Sequence, residues 1–171
     1  MTWLLLLSGC ALSGDGISAL LRANTLVLTG VQSGLEPIES PLESSLAFHA
    51  YGDGEYGYEG EISGGALWSS GSVGVRGTAL VREDGAWAMF ALDLDYRDVA
   101  VSGLVLNGET SNGHAVIAEN GSLTLSYDVL GTLDVDGDYR GQARLDYTVS
   151  TDSASGGRPR YLGTVNGRPV Q

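Results

Sequence analysis

The sequence contains no lysine, one cysteine, two histidines and four prolines among its 171 residues. Each scarcity excludes something. A lone cysteine rules out a disulfide framework, and the length makes one unnecessary, because a domain of this size buries roughly 70% of the surface its unfolded chain exposes. The nine cations, all arginine, face 21 carboxylates, which gives a net charge of −12. Such a chain repels phosphate backbones, and no basic cluster offsets the repulsion, so nucleic acid is excluded as a partner. No apolar run reaches the roughly 18 residues of a membrane-spanning helix. With so little proline, turns fall to glycine, which occurs 26 times. A hydrophobic content of 43% is too high for a disordered chain.

What is abundant is alternation. Leu123, Leu125, Tyr127, Val129, Gly131, Leu133 and Val135 share one parity, while Ser122, Thr124, Ser126, Asp128, Thr132 and Asp134 share the other. Tyr139, Gly141, Ala143, Leu145, Tyr147 and Val149 repeat the pattern, as antiparallel sheets with one wet face do. No stretch of helical length shows a sustained 3.6 period, so the expected class is all-β, a meander of about nine or ten strands. Residues 17–23 read as one helical turn at most, 25–31 as a strand, 32–45 as an exposed loop and 158–165 as the closing strand. Asp84-Gly85 as a two-residue turn pairs Val73 with Tyr96, Val75 with Leu94, Gly77 with Leu92, Ala79 with Phe90 and Val81 with Ala88, every pair apolar or glycine. Arg97-Asp98 is read as a turn pairing Leu94 with Val101 and Phe90 with Val105. A three-residue loop, Val135-Asp136-Gly137, pairs Leu133 with Tyr139 and Val129 with Ala143. Asn120-Gly121 marks one more turn. Glycines 60, 77, 103, 131, 141 and 163 fall within strands and permit sharp bending, which favours a strongly curved sheet or up-and-down barrel over a two-layer sandwich.

The amino-terminal segment Leu7-Ser8-Gly9-Cys10 follows a short apolar run and precedes a polar, glycine-rich stretch. It resembles the lipobox of bacterial lipoproteins, in which the thiol takes a diacylglycerol and the peptide bond before it is cut. The resemblance covers ten residues. It implies a short signal peptide at 1–9, a lipidated Cys10 with a tether at 10–24, and a single all-β domain at 25–171. It also implies a cell-envelope protein held to a membrane by its lipid, the outer membrane ahead of the inner because Ala11 stands where an inner-membrane retention Asp would be.

Candidate chemistry is sparse. His49 and His114 are too few for an ordinary zinc site and read as satisfied side chains. Asp134, Asp136 and Asp138 crowd one hairpin end and form a candidate weak calcium contact, against the commoner solvated turn. No Gly-x-Ser-x-Gly elbow, metal spacing or phosphate loop marks a catalytic centre, so neither an enzyme nor a cofactor is expected. Tyr96, Tyr127, Tyr139 and Tyr147 fall on the apolar parity, and buried phenols want hydrogen-bond partners. Phe90, Leu92, Leu94, Tyr96, Tyr127 and Tyr147 would line a cavity for a small apolar ligand if that face enclosed one. The first expectation is nevertheless a non-catalytic structural or interaction module, whose partner, a protein or a small apolar ligand, the sequence does not identify. A lipocalin-like carrier and a small outer-membrane β-barrel are the alternatives.

Overall fold

A computed structural model describes residues 11–35, 46–64, 67–81, 87–119, 122–153 and 156–171. One helix, α1 (Gly14–Leu35), precedes nine strands: β1 (Ala47–Gly52), β2 (Glu55–Ser63), β3 (Ser70–Val81), β4 (Trp87–Val101), β5 (Leu104–Glu119), β6 (Ser122–Gly137), β7 (Gly141–Asp152), β8 (Arg160–Val165) and β9 (Arg168–Val170). The strands form a single antiparallel sheet in chain order, β1 to β9, so the chain is an all-β meander as the alternation implies. The sheet is open: β1 and β9 are its edges and do not pair. Of the two expected forms, the curved sheet is the one found and the closed barrel is not.

The helix is the main departure from expectation. Residues 14–24, read as tether, and 25–31, read as a strand, together belong to α1. Ser13 caps it, its hydroxyl accepting from the Gly16 amide at 3.1 Å. Ile17, Leu20, Leu21, Val27, Leu28 and Val31 are all buried and recur at i, i+3, i+4 spacing, with the equally buried Asn24 in the middle of the stripe. That stripe packs on the inner face of the sheet, in one core with Tyr58, Ile62, Val73, Val75, Leu94, Tyr96, Leu106, Tyr127, Leu133, Leu145 and Val149. Gly30 lets the helix lie directly on Trp68, which precedes β3; a Cβ there would run into the indole ring. At the other end of the helix, Gly16 lies against Tyr139.

The β3–β4 register is the one the sequence implies, from Val73–Tyr96 to Val81–Ala88, with Asp84-Gly85 itself outside the described residues. Gly77 shows how the sheet curls. Its φ of 152° is unfavourable for other residues, and a Cβ would collide with the Ala91 carbonyl oxygen of the neighbouring strand. Asn120-Gly121 is likewise outside the described residues, between the paired Glu119 and Ser122.

Three turns differ from expectation. Arg97-Asp98 is a bulge inside β4, not a turn: Tyr96 pairs with Gly108 and Val99 with Leu106, so two residues of β4 stand against Asn107. The bulge places Tyr96 and Val99 both inward, as a turn between them would also have done. Asn107 fastens it, accepting from the Asp98 amide at 2.8 Å and donating to the Asp98 carboxylate at 3.1 Å. The reversal comes at Ser102-Gly103, so Gly103 is a turn glycine, and Phe90 and Leu94 pair with His114 and Thr110. The β6–β7 link is also longer than three residues. Val135 pairs with Gly141 and Leu133 with Ala143, because Asp136 accepts from the Gly137 amide at 2.7 Å and from Arg140 at 2.9 Å, closing a wider loop. Asn166-Gly167, unread in the sequence, turns β8 into β9. Asn166 ties that turn to β7 by bonding the Arg144 amide and the Gln142 carbonyl.

Candidate functional site

The inner face of the sheet is where the tyrosines converge, and α1 meets them there. Tyr96 donates to Asn24 Oδ1 at 2.7 Å, and Asn24 Nδ2 donates to the Tyr147 hydroxyl at 2.8 Å. The Tyr127 hydroxyl donates to Gln32 Oε1 at 2.9 Å, and the Tyr161 and Thr25 hydroxyls lie 3.1 Å apart. Phenols from β4, β6, β7 and β8 therefore each find a polar partner on one helix. Burial holds the Tyr96, Tyr127 and Tyr147 hydroxyls above the ordinary phenol pKa, so they stay protonated donors at any physiological pH. Leu92, Leu94, Tyr96, Tyr127 and Tyr147 of the candidate ligand-facing set are buried in the core shared with α1, and Phe90 is half-buried against it.

Between these phenols runs a polar strip on β5. Thr110, Asn112 and His114 occupy successive inward positions and are buried. His114 stacks between Tyr127, with centroids 4.1 Å apart, and Phe90, at 5.0 Å. Its Nε2 and the Asn112 Oδ1 have no hydrogen-bond partner. Burial pushes the imidazole pKa down to about 4, so His114 is neutral. His49 is exposed on the edge strand β1, four strands away in the sheet order, so the two histidines do not share a site.

The outer face has the opposite character. A groove of about 590 Å³ crosses it over β4–β8, walled by Asp93, Asp128, Asp146 and Leu130, with Leu162 at its margin. Leu130 and Leu162 are 57% and 74% exposed, far more than leucines of a one-faced sheet need be. Ser111 donates to Asp93 at 2.6 Å and Thr148 to Asp128 at 2.7 Å, so hydroxyls rather than cations hold these carboxylates. A second groove, of about 990 Å³, continues from Asp93 and Leu130 toward β2. There the charges are compensated: Arg76 pairs with Glu59 at 3.1 Å, and Arg97 with Glu61 at 3.0 Å and Asp95 at 2.6 Å.

The candidate calcium residues do not share the arrangement expected of them. Asp134 faces Gln142, which donates to it at 3.0 Å, and Asp136 is held by Arg140. The Asp138 amide bonds the Gly103 carbonyl. Among the described residues no group of three or more His, Cys, Asp or Glu side chains is placed to hold a metal ion. Cys10 lies outside the described residues.

The site sequence reading missed is the helix. Its polar residues Asn24, Thr25 and Gln32 carry the tyrosine contacts, and the i, i+3, i+4 recurrence from Ile17 to Val31 is the signal that would have revealed it. The fold and grooves define an all-β protein, an open nine-stranded meander curved around one amino-terminal helix. No family model, curated protein or solved structure matches the chain.

Proposed function

We propose that this is a lipid-anchored cell-envelope protein that works by binding a partner through the outer face of its sheet. The observation that carries the reading is the occupied inner face. A lipocalin-like carrier would need that concavity, and here α1 fills it and uses the tyrosine hydroxyls a ligand would otherwise use. Two broad grooves lie on the other face, where the acidic one beside Leu130 and Leu162 suits a cationic partner with aliphatic side chains. Charged outward residues such as Glu59, Arg76, Asp93, Arg97 and Asp128 weigh against that face meeting lipid, as it would in a spanning barrel. Among the described residues no helix is long and apolar enough to cross a membrane. The lipobox-like Leu7-Ser8-Gly9-Cys10 supports the anchor, with the outer membrane as the favoured location.

The anchor would hold the domain close. Ala11 already bridges to Gln142 of β7, Leu12 is buried, and α1 starts at Gly14. Cys10 is thus followed by almost no free tether, and the lipid would seat the β6–β7 end of the sheet on the membrane surface. Mass spectrometry of the amino-terminal peptide from the native host tests the anchor. A diacylglyceryl thioether on Cys10 is expected, and the Cys10→Ser chain should leave the membrane fraction. An unmodified thiol on the mature protein, or a Cys10→Ser chain that stays membrane-bound, would overturn it.

A further inference from the structure

A third hollow, of about 580 Å³, opens beside the solvent side of α1, between the helix and the segment that leads into β8. Its walls include Ala19, Arg22, Leu26 and Thr29 of the helix, with Pro159 and Tyr161 opposite. It is separate from the acidic groove and shares Thr25 and Tyr161 with the edge of the tyrosine cluster. Two features mark its rim. Leu26 is 38% exposed on a helix whose other large apolar residues between Ile17 and Val31 are buried. One turn away, Arg22 is exposed and, like Arg158 and Arg160 on either side of Pro159, has no ion pair or side-chain hydrogen bond among the described residues, whereas Arg76, Arg97 and Arg140 are each bound to carboxylates. In a chain with a net charge of −12, an arginine left free at the rim of an apolar hollow is a local reversal of the prevailing charge.

From these observations we infer that the hollow between α1 and the β8 approach binds a linear fatty carboxylate, its headgroup on Arg22 and its chain along Leu26 toward Thr29. The guanidinium offers a carboxylate two parallel N–H donors, a geometry neither an alcohol nor an ammonium head can use. Arg22 to Thr29 spans about 10 Å of helix, which accommodates most of a medium-length chain, and the volume lies within the ordinary range of small-ligand sites. Tyr161 forms a firm far wall, since its hydroxyl is held by Thr25 and its ring meets Tyr147 edge-on at 6.1 Å.

The test uses the full chain as its Cys10→Ser form, purified without detergent, with carboxyl-labelled dodecanoate as the NMR probe and calorimetry for affinity. Dodecanoate should bind one per chain, while dodecanol, dodecyltrimethylammonium and acetate should bind far more weakly. Arg22→Gln should weaken dodecanoate by about tenfold or more through loss of the charge-assisted contact. Leu26→Glu should abolish binding. Both positions are solvent-exposed, so unchanged thermal unfolding of the variants serves as the folding control. Equal affinity for dodecanol and dodecanoate, an unaltered Arg22→Gln, no binding at all, or binding only to phosphatidylglycerol vesicles would each overturn the inference.

Discussion

Asn24 stands where the apolar stripe of α1 calls for leucine, and it is completely buried. Its amide bridges two phenols on strands that are not neighbours, Tyr96 of β4 and Tyr147 of β7, so one side chain fixes how far the sheet curls around the helix. Asn24→Ala would leave both hydroxyls buried without partners, and we expect a loss of about 2–4 kcal/mol in urea unfolding, part of it recovered when Tyr96→Phe and Tyr147→Phe are added. A loss no larger than that of an exposed-site alanine would show the bridge to be dispensable. His114 gives a pH-dependent counterpart. Above pH 6.5 it is neutral both folded and unfolded; as pH falls from 6.5 toward 4, the unfolded chain takes up a proton that the buried ring refuses. Stability is therefore lost across that window, by about 3 kcal/mol from this group, and no further below it. His114→Phe keeps a ring between Phe90 and Tyr127 and removes the unpartnered nitrogen, so its unfolding free energy should fall less between pH 7 and pH 4.5 than the parent's. Identical pH profiles would mean that the imidazole is hydrated in the fold. At this scale the sequence marks the tyrosines as inward-facing from parity alone. Their partners are hidden, because the hydroxyls pair with residues more than seventy positions away.

The strands were legible and the helix was not, for one physical reason. Period-two alternation needs only six or seven residues to show itself, and β6 and β7 have sixteen and twelve. The 3.6 period of α1 is interrupted by Asn24, while the run Thr25-Leu26-Val27-Leu28-Thr29 has the β-branched content of a strand. Inside the helix the hydroxyls bond back to the preceding turn, Thr25 to the Leu21 carbonyl at 2.8 Å and Thr29 to the Thr25 carbonyl at 2.9 Å, and that local satisfaction together with a buried face that is apolar except at Asn24 overrides propensity. Reading Arg97-Asp98 as a turn put Tyr96 and Val99 on one face, as they are, but the sequence could not tell a bulge from a turn, since both return the chain to the same face. The curling itself was readable from glycine. Gly77 combines an unfavourable φ with close approach of the Ala91 carbonyl, so Gly77→Ala should cost more than about 2 kcal/mol, well beyond a glycine-to-alanine change at an open turn such as Gly167. Chemical unfolding of the two variants side by side measures the difference, and equal effects would place the origin of the curvature elsewhere.

At the scale of the whole molecule, an open sheet of this length needs something to cover its apolar side. β1 and β9 never meet, so closure does not supply the cover, and no second sheet packs against the first among the described residues. The cover is α1. Ile17, Leu20, Leu21, Val27, Leu28 and Val31 are each buried to within a few per cent, and burying side chains of this kind is worth about 1.5–3 kcal/mol each, or roughly 9–18 kcal/mol gross. That sum is comparable with the entire net stability of an ordinary domain, about 5–15 kcal/mol. The acidic outer face adds self-repulsion that the core must also overcome. The helix is therefore as much a part of the fold as any strand, although it sits in the stretch that reads as a tether. Removing residues 14–35 should abolish cooperative thermal unfolding, expose Leu94, Tyr96, Tyr127 and Tyr147 to solvent, and produce strong binding of a hydrophobic dye. Supplying the helix as a separate peptide should reverse part of that change, because its hydrogen bonds to Tyr96, Tyr127 and Tyr147 specify where it seats. A truncated chain that still melted sharply, with tyrosine fluorescence unchanged, would mean that the sheet holds its curvature unaided and that α1 is an accessory laid upon it.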